Sequence, residues 1–415
     1  METRKPEEIV WREDLYPRLK PDAGKIQSYA DDLAVLPPIE VNQDNVLIDG
    51  YHRWRAHQMA GAESLCVTVT PTASEAELLM LAVSRNATHG LQLSTEDKRR
   101  YALRWWNVLP EAQICATLSI TDRTFRRWTK GKREQQEADL TADIRARWLR
   151  CESPETIAAA TGLEPRTLER RIAEIRQNGQ MTDLTLFRDF SPELYNIWSF
   201  SKATNTVRHF GNVPPEILDN LLYYYTQPFD VVFDPFAGGG MTIDVCQQRQ
   251  RRYYVSDLTP TPARIPEIRQ WDIAQGLPED LPVPDLVFLD PPYWRQAAGQ
   301  YSDQPNDLAN VSLEVFLKTI GDIAKAVKRK WGASRPHARL ALLMGMLKTE
   351  GAMVDLPWLC YTEIARYLHL EMRYQVPYST QVHGGQFVQR AKDHRECLYL
   401  FRDLLVFKRD TEKGL

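Results

Sequence analysis

The sequence predicts an α/β fold for the second half of this 415-residue chain, preceded by a small α+β region and an all-α region. Two apolar runs, residues 231–233 and 286–289, are each followed by an aspartate, Asp234 and Asp290, and then by a turn. Short apolar runs of this kind are typical of strands that are buried on both faces of a parallel sheet. Because open α/β sheets bind ligands at the carboxyl ends of their strands, we expect both aspartates to face a ligand.

The tetrapeptide Asp290-Pro291-Pro292-Tyr293 is the most informative motif of the chain. The amine of a nucleic-acid base is a poor nucleophile, because its lone pair is delocalised into the ring. The Asp290 carboxylate and the Pro291 carbonyl could accept hydrogen bonds from such an amine, and the rigid prolines would hold that carbonyl in place. Tyr293 could stack on an extruded base for about 1–3 kcal/mol. The alternative interpretation is a strand followed by an ordinary proline-rich turn.

A glycine-rich segment stands upstream of this tetrapeptide. Residues 231–242 predict a strand, a loop with three consecutive glycines and a helix that begins near Met241. Glycines allow a tight turn and a close approach of the backbone to a ligand. Free amides at a helix start favour a carboxylate, and Asp234 could accept a hydrogen bond from an ammonium group or its bridging water. On its own, the glycine loop is weak evidence for a ligand-binding site. Together with the tetrapeptide at this spacing, it is strong evidence.

With both motifs, residues 190–415 resemble the amino-methyltransferases of DNA, which use S-adenosylmethionine to methylate the exocyclic amine of adenine or cytosine. The resemblance implies a Rossmann-like sheet of seven mostly parallel strands with helices on both faces. The positions that match the family's cofactor loop are Asp234, Phe236, Gly238 and Gly240, followed by Met241 in place of the usual threonine. The positions that match its catalytic tetrapeptide are Asp290, Pro291, Pro292 and Tyr293.

Further segments follow in the family's order. Residues 252–257 predict a second strand ending in Asp257, which would bind ribose hydroxyls, as in the related dinucleotide folds; an ordinary helix cap is the alternative. The resemblance assigns Asp272 to the adenine amine of the cofactor. It assigns residues 210–216, with Pro214, to a segment that closes over the methionine moiety. Residues 341–346 predict a later strand, and residues 397–408 a closing hairpin around Arg402 and Asp403.

The order of the motifs bears on target recognition. The cofactor loop precedes the tetrapeptide with too few residues between them for a DNA-reading domain. The tail after Trp294 must still hold three strands and their helices. We therefore do not expect the methyltransferase-like region, residues 186–415, to read a DNA sequence by itself. Trp294 and residues 295–310 could close over the base or the DNA, or form ordinary surface.

Residues 1–92 carry a second resemblance, to the amino-terminal domain of the ParB and sulfiredoxin-like group. There a glycine, an arginine and an alanine open a helix beside a nucleotide phosphate, and the matching positions here are Gly50, Arg53 and Ala56. Tyr51 stands where an acid is usual, and residues 85–89 lack the acid and the arginine of the third ParB box. We therefore do not expect CTP or another nucleotide here. A scaffold that contacts the DNA backbone or the other domains is the favoured alternative.

Residues 93–178 predict helices with two helix-turn-helix candidates, residues 111–130 and 153–172. In the second, Ser153 would cap the first helix and Gly162 would form the turn. The arginines expected to point outward and to bind DNA are Arg123, Arg126 and Arg127 in the first candidate, and Arg166, Arg170 and Arg171 in the second. Either candidate could be a plain helical hairpin. Residues 177–185 predict a linker between this region and the methyltransferase-like region.

Composition limits the remaining possibilities. The formal net charge is −3, whereas residues 95–178 hold 17 Lys or Arg against 13 Asp or Glu, which permits nucleic-acid binding without proving it. The polar start and the lack of a long apolar run predict neither a signal peptide nor a membrane span. The six scattered cysteines indicate reduced thiols in a cytoplasmic protein and no metal centre. The resemblance implies a prokaryotic or phage-encoded protein.

The sequence thus favours a site-specific DNA methyltransferase that acts on adenine in double-stranded DNA with S-adenosylmethionine as cofactor. An N4-cytosine methyltransferase is the nearest alternative, because an aspartate at the first catalytic position occurs in both classes. A ParB-like DNA-binding regulator with a relic methyltransferase domain is a second, and an RNA methyltransferase is a weaker third. A homodimer and a restriction partner are left open.

Overall fold

This computed structural model describes residues 2–16, 21–88, 93–178, 183–200, 213–295, 304–349, 352–377, 385–398 and 400–410. The chain divides into two compact units, residues 1–139 and 140–415. The division differs from the linker expected at residues 177–185, part of which lies outside the described residues. Each unit has its own buried cores, and each is described separately.

The first unit contains a small α+β region. Its four strands are β1 (Glu2–Arg4), β2 (Ile39–Val41), β3 (Leu47–Asp49) and β4 (Leu65–Val69), in the order β1-β4-β2-β3. Its first helices are α1 (Ala23–Ala30), α2 (Tyr51–Met59) and α3 (Glu75–Thr88). Gly50 precedes α2 with φ +100°, and a Cβ there would lie 2.7 Å from the Ile39 Cγ2 atom. Only glycine therefore fits this turn.

A helical region follows, as the sequence predicts. Its helices are α4 (Thr95–Trp105), α5 (Glu111–Leu118) and α6 (Asp122–Leu149). Ser94 caps α4, because its hydroxyl accepts a hydrogen bond from the Asp97 amide at 3.1 Å. The buried Trp105 and Phe125 belong to one apolar cluster that joins α4, α5 and the start of α6. The division between the two units falls inside α6, between residues 139 and 140.

The second unit begins with the end of α6 and the second helix pair, α7 (Pro154–Thr161) and α8 (Pro165–Asn178). Ser153 caps α7 and Gly162 forms the turn with φ +68°, as the sequence predicts. The pair packs on α6 through Ile157, Leu168 and Ile175. A short helix, α9 (Asp183–Leu186), follows.

The end of α6 explains why this helix pair belongs to the second unit. Trp148 packs on Phe229, which lies just before a strand of the large sheet, with ring centroids 5.1 Å apart. Leu149 and Cys151 are buried in the two main cores of the unit. The Arg252 Nε atom also donates to the Trp148 carbonyl at 3.1 Å. These contacts tie the helix pair to the sheet through buried side chains.

A mostly parallel seven-stranded sheet forms the centre of the second unit, as the resemblance implies. Its strands are β5 (Val231–Asp234), β6 (Arg252–Asp257), β7 (Arg269–Gln270), β8 (Leu286–Leu289), β9 (Arg339–Gly345), β12 (His369–Pro377) and β13 (Phe401–Lys408). Their spatial order is β12-β13-β9-β8-β5-β6-β7, and β13 is antiparallel to both neighbours. A separate hairpin consists of β10 (Leu347–Thr349) and β11 (Ala352–Val354).

Helices cover both faces of this sheet. The helices that pack on it are α10 (Pro215–Tyr225), α11 (Met241–Gln248), α12 (Leu313–Trp331) and α13 (Leu356–Ile364), and a further helix, α14 (Gly385–His394), precedes β13 in the chain. Side chains alternate along each strand. Val232, Phe288 and Leu404 pack in the core that α10 and α11 share, which we call the α10–α11 face. Phe233 and Leu405 pack in the core of α12 and α13, the α12–α13 face.

The strands predicted at residues 231–234, 252–257, 286–289 and 341–346 are confirmed, as is the helix that begins at Met241. The closing hairpin predicted around Arg402 and Asp403 is wrong. Both residues are buried inside the single strand β13, where the Arg373 Nε atom donates to the Asp403 carboxylate at 2.7 Å. β13 pairs antiparallel with β9 on one side and with β12 on the other, and the sequence analysis did not anticipate β12.

Among the described residues, no helix is both long enough and apolar enough to cross a membrane.

Candidate active site

A cavity of about 380 Å³ opens at the carboxyl ends of the parallel strands in the second unit. Four neighbouring strands, β8, β5, β6 and β7, each place an aspartate at this end. A fifth aspartate comes from the segment after the catalytic tetrapeptide. The five aspartates that line the cavity are Asp234, Asp257, Asp272, Asp290 and Asp307. Among the described lining residues these are the only charged side chains, so the cavity is strongly acidic.

Asp234 lies at the end of β5 and shapes the glycine loop. Its carboxylate accepts hydrogen bonds from the Phe236 amide at 2.9 Å and from the Thr242 hydroxyl at 2.5 Å. Phe236, Gly238 and Gly239 line the cavity directly. Gly240 does not; it precedes α11 with φ +85°, and a Cβ there would press on Arg264 at 3.3 Å. Gly240 is therefore required for the conformation of the loop.

Asp257, at the end of β6, supports the same loop. One carboxylate oxygen accepts from the Gly238 amide at 2.9 Å, and the other accepts from the Thr259 amide at 3.0 Å. Each carboxylate oxygen has a second lone pair. Asp257 can therefore hold the loop and also accept a hydrogen bond from a ligand in the cavity.

Asp272 lies two residues beyond β7 and lines the outer part of the cavity. It caps a short 3₁₀ helix by accepting from the Ala274 amide at 2.9 Å. The Asn306 side-chain amide donates to its other oxygen at 2.8 Å. Asn306 lies beyond the catalytic tetrapeptide in sequence, so this contact closes the cavity with residues from two distant segments.

Only two of the four residues of the tetrapeptide line the cavity. Asp290 and Pro292 line it, whereas Pro291 is buried and Tyr293 packs half-buried against the α12–α13 core. Among the described residues, none donates a hydrogen bond to the Asp290 carboxylate. The acceptor capacity of Asp290 is therefore still available to a ligand.

Trp294 does not close over a ligand. It is buried, and its indole Nε1 atom donates to the Val311 carbonyl at 2.8 Å. The Arg295 amide donates to the Ala309 carbonyl at 3.1 Å, which ties the segment after the tetrapeptide to the wall of the cavity. Of residues 295–310, the stretch 296–303 lies outside the described residues.

Burial makes the two innermost carboxyl groups weak acids. Burial raises the pKa of Asp234 to about 7, against the lowering effect of its hydrogen bonds from Thr242 and Phe236. Burial likewise raises the pKa of Asp290 to about 7, and the nearby Asp234 adds to this rise. The positive charge of Arg402 acts in the opposite direction on Asp290. A cationic ligand in this cavity would stabilise both carboxylates in their charged form.

The segment expected to close over the cofactor is only partly described. Residues 210–212 lie outside the described residues. Val213 is buried and lines the cavity, whereas Pro214 is buried directly before α10 and does not line it. Sequence reasoning also missed residues 258–262 and 306–308 as lining residues. No local motif marks them, because they reach the cavity only through the packing of separate loops.

The predicted DNA-contacting arginines differ in exposure. Arg123, Arg126 and Arg127 are exposed on α6, and Arg166 and Arg170 are exposed on α8. The outward orientation expected for Arg171 is wrong in part. Its side chain is half-buried with an enclosed Nε atom, because it lies on the flank of α8 beside Leu168 and Ile172, which pack on α6.

The ParB-like element keeps its predicted backbone form in the first unit. Gly50 opens α2, and Ala56 is fully buried. The Arg53 guanidinium, however, donates to the Asp49 carboxylate at 2.9 Å and to the carbonyl oxygens of Pro37 and Pro38. These protein acceptors occupy the arginine that the resemblance assigns to a nucleotide phosphate.

Comparison with known proteins finds a family model that matches the segment containing the glycine loop of the second unit. Residues 126–265 match the model described as DNA methylase. This segment is therefore similar to the N6/N4 DNA methylases. The match confirms the resemblance to the DNA amino-methyltransferases, whose type II members use S-adenosylmethionine.

Two curated relatives match shorter segments. The type II methyltransferase M.XycI of Xanthomonas campestris pv. cyanopsidis is 34% identical over 65 residues, which are 16% of this chain and 22% of that protein. A possible regulatory protein of the streptomycin biosynthesis operon of Streptomyces griseus is 39% identical over 84 residues, 20% of this chain and 24% of that protein. The chain therefore spans only about a quarter or less of the length of either relative.

A solved structure of ParB from Caulobacter crescentus, complexed to the centromeric parS site, is also similar to this chain. It is 17% identical, and the alignment covers 41% of this chain and 97% of that one with a TM-score of 0.25. A TM-score of this size carries no conclusion about the fold described above.

Proposed function

We propose that this protein transfers a methyl group from S-adenosylmethionine to the exocyclic amine of a flipped adenine in duplex DNA. The observation that carries the proposal is the row of aspartates at the carboxyl ends of β8, β5, β6 and β7, around one cavity. Such a row suits a ligand that is rich in positive charge and in hydrogen-bond donors. The family match of residues 126–265 supports the same conclusion.

The residues of the cavity fit S-adenosylmethionine well. Its volume of about 380 Å³ falls in the usual range for small-molecule sites. The ligand carries a sulfonium, an ammonium, two ribose hydroxyls and an adenine amine, which are all cationic or able to donate. Asp257 would accept from the ribose hydroxyls, Asp272 from the adenine amine, and Asp234 from the ammonium or its bridging water. The ligand carboxylate would lie at the amino end of α11, beside the glycine loop.

On the substrate side, the protein would position the base amine and polarise its N–H bonds, and the methylated nitrogen would then release one of its protons. The Asp290 carboxylate and the Pro291 carbonyl would accept from the base amine, which localises the nitrogen lone pair. When bound, the cofactor supplies an electrophilic methyl group whose loss leaves a neutral thioether. Tyr293 would stack on the base after it has been flipped out of the duplex. Catalysis would then rest on positioning and electrostatics rather than on a covalent enzyme intermediate.

Duplex DNA is the proposed partner, and the exposed arginines of the two helix pairs support it. Arg123, Arg126 and Arg127 on α6, and Arg166 and Arg170 on α8, would reach phosphates or base edges of the major groove. Helix-turn-helix units fit the major groove of DNA, whereas side chains cannot enter that of duplex RNA.

The test is to identify the methylated nucleoside. The full chain would be incubated with unmethylated genomic DNA and with cofactor labelled in its methyl group. The DNA would then be digested and its nucleosides analysed by mass spectrometry. We expect the label in N6-methyladenine nucleoside, with the Asp290→Asn variant as control. Label in N4-methylcytosine would correct the base, and unlabelled DNA in the presence of bound cofactor would refute DNA methylation.

A DNA-binding regulator with an inactive cavity is the second candidate, and the Streptomyces griseus relative favours it. The two proposals differ in cofactor binding. A relic cavity should bind S-adenosylmethionine poorly, whereas an active enzyme should bind it with an affinity that depends on Asp257. Calorimetric titration of the full chain therefore separates them before any DNA is added.

A further inference from the structure

The negative charge of the aspartates in the cavity is not balanced by a positive side chain among the described residues that line it. Asp290 faces Asp234 from β5, and Asp257, Asp272 and Asp307 complete the lining. Burial raises the pKa of Asp290 to about 7, so near neutral pH a large share of its carboxyl groups would be protonated. A protonated carboxyl has lost part of its acceptor capacity. A permanent positive charge near Asp290 therefore favours the anionic form that its proposed role needs.

The strand register places Arg402 at the same end of the sheet as Asp290. On β13, Arg402 pairs with Gly345 of β9, and on β9, Leu342 pairs with Leu289 of β8. Because β13 runs antiparallel to β9, Arg402 near its start lies beside the carboxyl ends of β8 and β9. Asp290 directly follows Leu289, so both charges lie at one edge of the sheet.

Side-chain alternation places the two charges on the same face as well. Leu404 and Phe288 pack in the α10–α11 core. Arg402 lies two residues before Leu404, and Asp290 lies two residues after Phe288, so both belong to the α10–α11 face. Arg402 is only 6% exposed, and its charge lowers the pKa of Asp290.

The carboxylate of Asp403, the residue next to Arg402 in sequence, is not on the same face of the sheet as Arg402. It lies on the opposite, α12–α13 face, and accepts from Arg373 at 2.7 Å. Arginine keeps its charge at any working pH, and its weakly hydrated guanidinium tolerates burial better than an ammonium group. The Arg402 charge is therefore constant over the pH range in which Asp290 titrates.

We propose that Arg402 is a positioning residue that keeps the Asp290 carboxylate in its anionic, hydrogen-bond-accepting form without touching base or cofactor. This inference rests on the proposed function, because it assigns Arg402 a part in the acceptance of the base amine. Methyl transfer should then fall as the pH drops through the pKa of Asp290, and the position of this acid limb should depend on the charge at residue 402.

The experiment compares the full chain with Arg402→Met, which fills the same space without charge, with Arg402→Gln and with the charge-retaining Arg402→Lys. The pH dependence of kcat/KM is recorded for each. We expect both neutral variants to move the acid limb up by about 1–3 pH units, and Arg402→Lys to leave it near its wild-type position. At high pH all variants should approach the wild-type rate. Leu404→Ala serves as the control for a damaged strand, and should not move the limb.

A second measurement does not depend on activity. The carboxyl carbon of Asp290 is titrated by NMR in cofactor-free protein labelled with carbon-13 aspartate, and is assigned by its absence in Asp290→Asn. The neutral variants should raise this titration midpoint by the same amount. An unmoved midpoint in a folded neutral variant, or an equal shift in Arg402→Lys, overturns the role of Arg402. If neither neutral variant folds, Arg402 serves the fold and the proposal is also overturned. A wild-type chain that methylates no DNA refutes the proposed function, while the titration still decides about Arg402.

Discussion

The two ends of the seven-stranded sheet both contain buried charges, but they use them differently. At the amino end, Arg251 is fully buried and donates to the Thr226 hydroxyl and carbonyl and to the Arg249 carbonyl, all within 2.9 Å. Arg249 beside it donates to both carboxylate oxygens of Asp219. At the carboxyl end, Asp290 and its neighbours face a cavity instead.

The difference lies in what remains available to a ligand. The arginines of the amino end donate their hydrogen bonds to protein acceptors. They therefore stabilise the fold, and few of their donors remain for a ligand. At the carboxyl end, Asp234 and Asp290 line a cavity, and burial raises the pKa of both carboxyl groups. Buried charge with complete protein partners thus indicates stability, and buried charge beside empty space indicates binding.

The largest effect should come from Asp290→Ala. Removal of the carboxylate should lower methyl transfer by at least about 1,000-fold, because the base amine loses its charged acceptor. Cofactor affinity should stay within a few-fold of wild type, since the proposed partner of Asp290 is the base and not the cofactor. Single-turnover assays and calorimetry measure both quantities. Near-normal turnover by this variant would refute the assignment of Asp290.

The amino end should respond in stability instead. Asp219→Ala leaves the Arg249 guanidinium, whose side chain is 3% exposed, without its main partner. We expect a loss of about 3–5 kcal/mol in the free energy of unfolding, with normal cofactor affinity in the folded fraction. The matched control is Asp189→Ala, because this second partner of Arg249 has a side chain that is 64% exposed. Its removal should cost far less stability than the removal of Asp219, because solvent screens an exposed ion pair. Equal losses in the two variants would contradict this view of the amino end.

A smaller effect is expected for Asp257→Ala at the carboxyl end. This variant should weaken S-adenosylmethionine binding by about 1.5–3 kcal/mol, the usual range for a hydrogen bond to a charged group. Calorimetry measures it, and Asp280→Ala is the control, since Asp280 bonds Tyr254 outside the cavity lining. Unchanged affinity would mean that Asp257 only anchors the amides of Gly238 and Thr259.

The smallest effect is expected on the surface of α8. Arg166→Ala and Arg170→Ala should weaken DNA binding without changing cofactor affinity. If each contacts one phosphate, each should reduce the slope of log affinity against log salt by about 0.9. Gel-shift titrations at several salt concentrations measure this slope. Arg329→Ala, an exposed arginine on α12, is the matched control. If the salt slope of both α8 variants equals that of the wild type, the helix pair α7–α8 has a structural role and does not contact DNA through these arginines.

The parts of the fold that could be predicted from the sequence depend on local signals. The strands that end at Asp234, Asp257 and Leu289 were predictable because each combines a short apolar run with an abrupt turn. The helix start at Met241 follows from the glycines before it. These features need only a few neighbouring residues, so no knowledge of the tertiary structure was required.

The failures all depend on distant contacts. Arg402 and Asp403 looked like turn residues, yet β13 buries them between β9 and β12. Asn306 carries no local signal, because its partner Asp272 belongs to another segment. Arg171 was expected outside, but the flank of α8 that it occupies is covered. Two polar residues in a row can be buried only when strands from elsewhere supply their partners.

The end of α6 also constrains how such proteins can exchange parts. A DNA-recognition region can be exchanged between proteins by recombination only if few buried contacts cross the boundary of the exchanged segment. Here Leu149 and Cys151 are buried in the two main cores of the second unit, and Trp148 packs on Phe229. A crossover after α8 would carry these side chains into a foreign sheet or remove them from their own. The helix pair α7–α8 and the sheet would therefore be inherited together.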